Sequence, residues 1–255
     1  MGKKIILKTE SQINDLRESG KYLNELLHLV MEAAKPGVTG LELENLSQKF
    51  LNKHKISGAF KGFMGFPANL CLSVNDCVVH GIPDKTVYRN GDVLKIDVGV
   101  KYNKMITDSA VTIVIGGSEE NKRGTELITT TKFALDSALK HIYHGNPMFD
   151  YSNEIWKQVE GNGFKIIKSL TGHGVGVAVH EGPFIHNWPH YDTKEIKFEK
   201  NMVIALEPIT SEISDSVVER KNHWNLYTRK GDLGAQWEYT VAVTDNGIEI
   251  LSGIV

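Results

Sequence analysis

Cysteine is scarce in this chain. There are two, Cys71 and Cys77, both among apolar neighbours. That excludes a disulfide framework and suits a reduced, cytoplasmic protein. Charge of one sign is lacking too. The net charge of −2 leaves no global basic field for nucleic acid or an anionic membrane surface. Lys3-Lys4 reads as a solvated terminus. No apolar run approaches the roughly 18 residues of a membrane span. Near the start, Ile5-Ile6-Leu7 is too short for a secretory signal, and Ile6 stands where a myristoylation start needs Ser or Thr. There is no low-complexity segment, long linker or charge block. A G-x-S-x-G elbow is absent, and Cys77 near His80 has no recognisable orienting partner, which argues against a nucleophilic hydrolase. The Cys/His spacing of a structural zinc site is missing as well.

What is present is ordinary in bulk: 255 residues, 41% hydrophobic and 24% charged, enough for a sizeable core. The pattern predicts one compact domain, 1–255, with an internal pseudo-repeat at roughly 11–115 and 119–251. Residues 11–34 show helical spacing of Ile13, Leu16, Leu23, Leu26, Leu27, Val30 and Met31. Pro36-Gly37 ends that helix. Thr39 with Glu42 reads as a capping box for a helix to about 54. Strands are expected at 70–79, 92–101 and 105–115. The order then recurs. A helix spans 119–143, Asn146-Pro147 breaks it, and Asp150 caps a helix to about 160. Strands follow near 164–170, 175–180, 202–213, 224–228, 236–244 and 247–251. Pro36 and Thr39 precede Pro147 and Asp150 by 111 residues, which suggests a duplicated unit.

Five residues carry the chemistry. Asp97 lies in the alternating run Leu94-Lys95-Ile96-Asp97-Val98-Gly99, and Asp108 opens another, Ser109-Ala110-Val111-Thr112. With Tyr102-Asn103 as a two-residue hairpin loop, Asp97 faces Asp108 directly across the sheet. Like charges so placed destabilise a sheet, and a cation between them removes the conflict. Glu207 ends the buried-strand run Val203-Ile204-Ala205-Leu206, and Glu238 sits in Gln236-Trp237-Glu238-Tyr239-Thr240-Val241. Taken singly, each glutamate is about as easily a solvent-facing or salt-bridged residue. Four carboxylates in four apolar strands are hard to explain without paired or metal-bound charge. His173 lies in Gly172-His173-Gly174-Val175-Gly176. This is not a dinucleotide fingerprint, because Val177 stands where the third glycine belongs. The glycines are read as letting backbone and imidazole approach a metal closely. The donor set suffices for two divalent ions, which carboxylates can bridge.

These residues, in this order, resemble the type I methionine aminopeptidases. The resemblance is carried by Phe60-Lys61-Gly62-Phe63, Gly65-Phe66-Pro67, Ser73-Val74-Asn75-Asp76, His80-Gly81-Ile82-Pro83, Ile96-Asp97-Val98-Gly99, Thr107-Asp108-Ser109-Ala110, Gly172-His173-Gly174, His180-Glu181, Glu207-Pro208 and Glu238-Tyr239-Thr240-Val241. It implies an α/β (α+β) pita-bread fold: two pseudo-symmetric halves with a central curved antiparallel sheet flanked by helices. It further implies two divalent metal ions (Co, Mn, Fe or Zn) on Asp97, Asp108, His173, Glu207 and Glu238. Glu207 would be acid/base for a metal-activated water that attacks the first peptide bond. His80 and His180 would contact substrate. Phe63, Phe66, Cys71 and Trp224 would line the methionine pocket, where the bland alternative is core packing. The expected reaction is removal of the initiator methionine before a small penultimate residue. The expected partners are peptide or nascent-chain N-termini, with transient ribosome contact, no nucleic-acid specificity, no membrane and a monomeric state.

Several positions depart from the family's commoner pattern. They are Val179 before His180, phenylalanine without a tyrosine hydroxyl at 63 and 66, Tyr239 after Glu238, Lys104-Met105-Ile106-Thr107 before Asp108, and the Trp188-Pro189-His190 loop. Pro189 argues against a helical His186/His190 metal pair. Prolidases share the fold and ligand order but usually carry an extra N-terminal domain. The type II enzymes carry a helical insert between the last two glutamates, for which the 31 positions from Glu207 to Glu238 leave little room. A metal-free binding relative would be expected to have lost ligands.

Overall fold

The computed structural model describes residues 4–220 and 222–255. Helix α1 spans Glu10–Ala33 and turns Ile13, Leu16, Leu23, Leu26, Leu27 and Val30 inward. Its start is a capping box that the periodicity did not reveal: Thr9 accepts from the Gln12 N–H while the Gln12 side chain takes the Thr9 N–H. Helix α2, Gly40–His54, begins at the expected Thr39–Glu42 box and ends at Lys55 in the left-handed region. Mid-helix Gly20 has a tertiary reason. A Cβ there would stand 1.8 Å from the carbonyl oxygen of Leu251.

Helix α3 is shorter than its pattern, Lys122–Ala138, with a single 3₁₀ turn on either side. Helix α4 runs Met148–Gly161, and here the expectation fails. Pro147, not Asp150, stands at the N-cap, and no side chain caps it. Proline's fixed φ and missing N–H suit a helix start, so it supplants a polar cap. Asp150 lies in the first turn, where it opposes the helix dipole. The helix starts at Thr39 and Pro147 therefore do not keep the 111-residue offset. Each nevertheless forms an isolated bridge to a later segment, Thr39 to Val87 and Pro147 to Lys197.

Eight strands position the site. They are β1 (Leu70–Val74), β2 (Val93–Tyr102), β3 (Met105–Val114), β4 (Gly172–Gly174), β5 (Glu181–Ile185), β6 (Val203–Leu206), β7 (Tyr239–Val243) and β8 (Ile248–Ser252). In one antiparallel sheet β2 pairs with β1, β3 and Ser57–Gly58. A second, five-stranded sheet has the order β8-β7-β6-β4-β5. The main core lies between sheets and helices, with Leu27, Ile96, Val98, Tyr151, Ile204 and Val241 fully enclosed.

The β2–β3 hairpin corrects the expected register. Its loop is Asn103-Lys104, not Tyr102-Asn103, so Asp97 pairs with Ala110 and Gly99 with Asp108. A two-residue loop of this kind needs positive φ at both positions. Asn103 and Lys104 adopt 44° and 71°. Asparagine tolerates that region well, whereas Tyr102 would be forced into it at a steric cost. The aspartates still share a face but sit diagonally, not opposite.

The stretch 175–180 is likewise not a strand; it is a loop between β4 and β5. The expected 202–213 strand breaks at Glu207-Pro208, since proline cannot continue the ladder. Cys71 and Cys77 are free and buried.

Candidate metal centre

The two sheets meet at β3 and β7. The Asp108 N–H donates to Thr240 Oγ1 (2.9 Å), and that hydroxyl donates to the Asp108 carbonyl (2.6 Å). The Glu238 N–H donates to the Ala110 carbonyl (2.8 Å). This stitching brings the end of one sheet's acidic strand against the other's. Leu206 pairs with Tyr239, so Glu207 and Glu238 stand just beyond the same end of the β6–β7 ladder. His173 pairs with Ala205 of β6, next to Glu207 in space.

His173 is therefore a strand residue, not a loop residue, and its glycines do a different job from the expected one. A Cβ at Gly172 would stand 2.5 Å from the Ala205 carbonyl oxygen, and one at Gly174 would stand 2.2 Å from that of Gly182. They let backbones, not a ligand, close in on each other. Gly174→Ala is expected to destabilise the fold by at least about 2 kcal/mol, because a rigid backbone must move to admit the methyl. A denaturant midpoint unchanged from the parent would refute this.

The ring of His173 is oriented by its own strand. Its Nδ1–H donates to the Gly174 carbonyl (3.0 Å), which turns Nε2 toward Glu207 Oε1, 3.3 Å away. Glu207 is held from two sides. Gln236 Nε2 donates to its Oε2 (3.0 Å), and Asn187 Nδ2 donates to its backbone carbonyl (2.9 Å). One ligating atom each of Asp108, His173 and Glu238 lies within 4.8 Å of the others.

Three acidic oxygens here are buried with no hydrogen-bond partner: Asp97 Oδ1, Asp108 Oδ1 and Glu238 Oε1. Unpaired buried carboxylates are costly, and the cost appears in their acidity. Burial, then the charge of Glu207, pushes Asp97 up to about 8. Burial, then Asp97, holds Asp108 far above the usual carboxylate range. Glu238 is raised by burial and then by Asp108. A divalent cation reverses all three penalties at once. Hard oxygen donors with one imidazole suit Mn, Fe, Co or Zn, so the residues present fit the metal that their pattern implied.

Above these groups opens a cavity of about 370 Å³ with mostly apolar walls. All eleven residues singled out in the sequence line it, the four pocket candidates and both histidines included. Phe66 meets Trp224 edge-on with ring centres 5.0 Å apart, and Phe63 meets His180 at 5.4 Å. His180 also lies 4.4 Å from the His173 ring. His80 has a left-handed backbone, φ 58°, unusual outside glycine and a mark of local strain. Its neighbour Gly81 approaches strand β1 so closely that a Cβ would stand 2.2 Å from the Leu72 carbonyl. Burial lowers the His80 pKa, more than the charge of Glu207 raises it. This keeps the ring neutral.

Gln236 is a site residue that the sequence reading passed over. Its signal was available: it lies two residues before Glu238, hence on the same side of an extended chain. Asn187, Met64 and Phe184 carried no such signal. Of the departures, Val179 lines the cavity wall. Tyr239 points away from it, bonding Asp136 Oδ1 (2.9 Å) and the Ile254 carbonyl (3.2 Å), so it does not alter the site. His186 and His190 lie on a non-helical loop with their rings stacked 4.2 Å apart.

Residues 14–245 match metallopeptidase family M24. A methionine aminopeptidase of Clostridium perfringens is 39% identical over 248 residues, covering 97% of this chain and 98% of that one. The crystal structure of methionine aminopeptidase from Thermotoga maritima superposes with a TM-score of 0.93 at 36% identity, covering 98% of this chain and 100% of that one. The prolidase from Pyrococcus furiosus is similar in fold alone, with a TM-score of 0.76 at 21% identity, covering 98% of this chain and 66% of that one.

Proposed function

The chain belongs to metallopeptidase family M24, and from that premise we propose that it holds two divalent ions on Asp97, Asp108, His173, Glu207 and Glu238 and acts on N-termini with a small second residue. It is a metal-dependent hydrolase of the pita-bread fold, and its reaction is removal of the N-terminal methionine. The observation that carries the ligand assignment is the convergence of the orphaned oxygens of Asp97, Asp108 and Glu238 at the floor of an apolar cavity.

When bound, the ions supply Lewis acidity and a water of lowered pKa. The protein supplies the rest. Glu207, clamped by Gln236, takes the proton released as the water attacks and returns it to the leaving amine. His180, packed between Phe63 and His173, holds the oxygen of the scissile carbonyl. His80, neutral and half-buried, contacts the peptide nitrogen. Phe63, Phe66, Cys71 and Trp224 enclose the methionine side chain, whose thioether packs well against ring edges. The occupants expected are the N-termini of peptides and nascent chains.

The test is hydrolysis of Met-Gly-Met-Met against Gly-Pro-Arg by metal-depleted protein, alone and with Mn, Fe, Co or Zn added. Metal-dependent release of methionine only is the expected result. Cleavage only before proline would move the chain to the prolidase branch, and no cleavage with any metal would refute the reading.

A further inference from the structure

The loop 175–180 carries two cavity residues, Val179 and His180, and has no secondary structure to hold it. Backbone bonds tie down its first residues, and one carboxylate closes the rest. Glu181 Oε1 accepts from the N–H groups of Val177 (2.5 Å) and Ala178 (3.0 Å), closing the turn on itself. Its Oε2 forms an ion pair with Lys8 Nζ, and the two side chains are 2% and 1% exposed. Lys8 is tied down in turn. Its ammonium donates to the Ile6 carbonyl (2.9 Å), and its N–H donates to the Asn201 carbonyl (2.9 Å), just before β6. The segment before it runs along β5, with Ile5 bridging Gly182. The lysine stem passes against the turn itself, since a Cβ at Gly176 would stand 2.6 Å from Lys8 Cε. The Gly176 carbonyl in turn accepts from Ile106 of β3 (2.7 Å), two residues before Asp108.

The chemistry of this pair is specific. An apolar residue at 181 could fill the space but could not accept from two inward-facing amides. A carboxylate can, but buried alone it is unstable, and the lysine ammonium supplies the missing charge. The pair links the start of the chain to the turn that aims His180.

We propose that Lys8, through its buried ion pair with Glu181, is the positioning residue for His180. The proposal rests on the reading that His180 contacts substrate. Without the ammonium the 177–180 turn loosens and the imidazole drifts from the carbonyl it serves. Displacements of about 1 Å in such a group can cost on the order of a hundredfold in rate.

The test uses the manganese-loaded enzyme on Met-Gly-Met-Met. Lys8→Met is expected to lower kcat by about tenfold or more, with KM within about threefold. Manganese affinity should be unchanged, and amide exchange at Val177 and Ala178 faster by about tenfold or more. Lys8→Met/Glu181→Gln should recover most of kcat, because the neutral amide oxygen still accepts from the turn and no charge is left unpaired. In a His180→Ala background, Lys8→Met should cause no further loss. If Lys8→Met lowers only Tm, with kcat and exchange as in the parent, Lys8 is merely structural and the proposal falls. An equal loss in the His180→Ala background also overturns it. If His180→Ala is itself fully active, the substrate role of His180 fails, and exchange at 177–178 then decides the clamp alone. Should Lys8→Met not fold, Lys8→Met/Glu181→Leu, which fills the space but cannot accept from the turn amides, carries the test with the same expected loss, and kcat and exchange as in the parent would overturn the proposal.

Discussion

Asp108→Ala is expected to lower kcat/KM on a methionyl peptide by about a thousandfold or more, while making the metal-free protein more stable. Both effects come from one fact. Asp108 is a buried carboxylate beside Asp97 and Glu207, one oxygen of which has no partner. With a cation present it is a ligand, and losing it removes charge stabilisation that typically contributes several kcal/mol to the barrier. Without a cation it is an unpaired buried charge or a proton held against its preference, and losing it relieves the repulsion. His173→Ala should match the activity loss without the gain in stability, since an imidazole brings no negative charge to the cluster. The experiment is kcat/KM and thermal melting for each variant, with chelator and with manganese. Full activity of both variants in metal-depleted buffer would overturn the site assignment.

The metal-free protein should lose stability as pH rises from 5 to 7, against the usual trend. Asp97 has an ordinary value of 3.8 and is pushed up to about 8 in the folded chain. Between those values the folded state holds a proton that the unfolded chain has released. Stability therefore falls with rising pH, by on the order of 2 kcal/mol over this window for one such carboxyl. Asp108 and Glu238 shift in the same direction, and the three titrate as a set. His80 opposes them. Its pKa is lowered on folding, so its contribution grows as pH rises through the unfolded value of 6.5. One histidine does not outweigh three carboxyls. Lys95, lowered by burial to about 7, adds an opposing contribution only above that pH, which is why the window stops there. Manganese should flatten or reverse the slope, because a cation favours the ionised carboxylates. Urea unfolding of chelated and loaded protein at pH 5, 6 and 7 measures it. A chelated protein whose stability rises across the window would contradict the account.

The amino-acid sequence by itself determined the acidic strands, the helices and the candidate ligands. Each depends on short-range pattern. A charge in a period-2 apolar run marks Asp97 and Asp108, and a capping box marks Thr39. Where a local rule had a competitor, the sequence reading failed. Pro147 supplanted Asp150 as helix start, because its ring fixes φ without help from a side chain. Asn103-Lys104 won the hairpin loop from Tyr102-Asn103, because both loop positions need positive φ, and that slid the aspartates onto a diagonal. Only the tertiary structure decided that the two sheets join at Asp108–Thr240, that Gln236 and Asn187 brace Glu207, and that Lys8 reaches Glu181. These contacts join residues 20 to 173 positions apart, Gln236 and Glu207 being 29 apart and Asp108 and Thr240 132 apart. No periodicity spans such distances. They follow from strand order and close packing, which only the folded chain brings about.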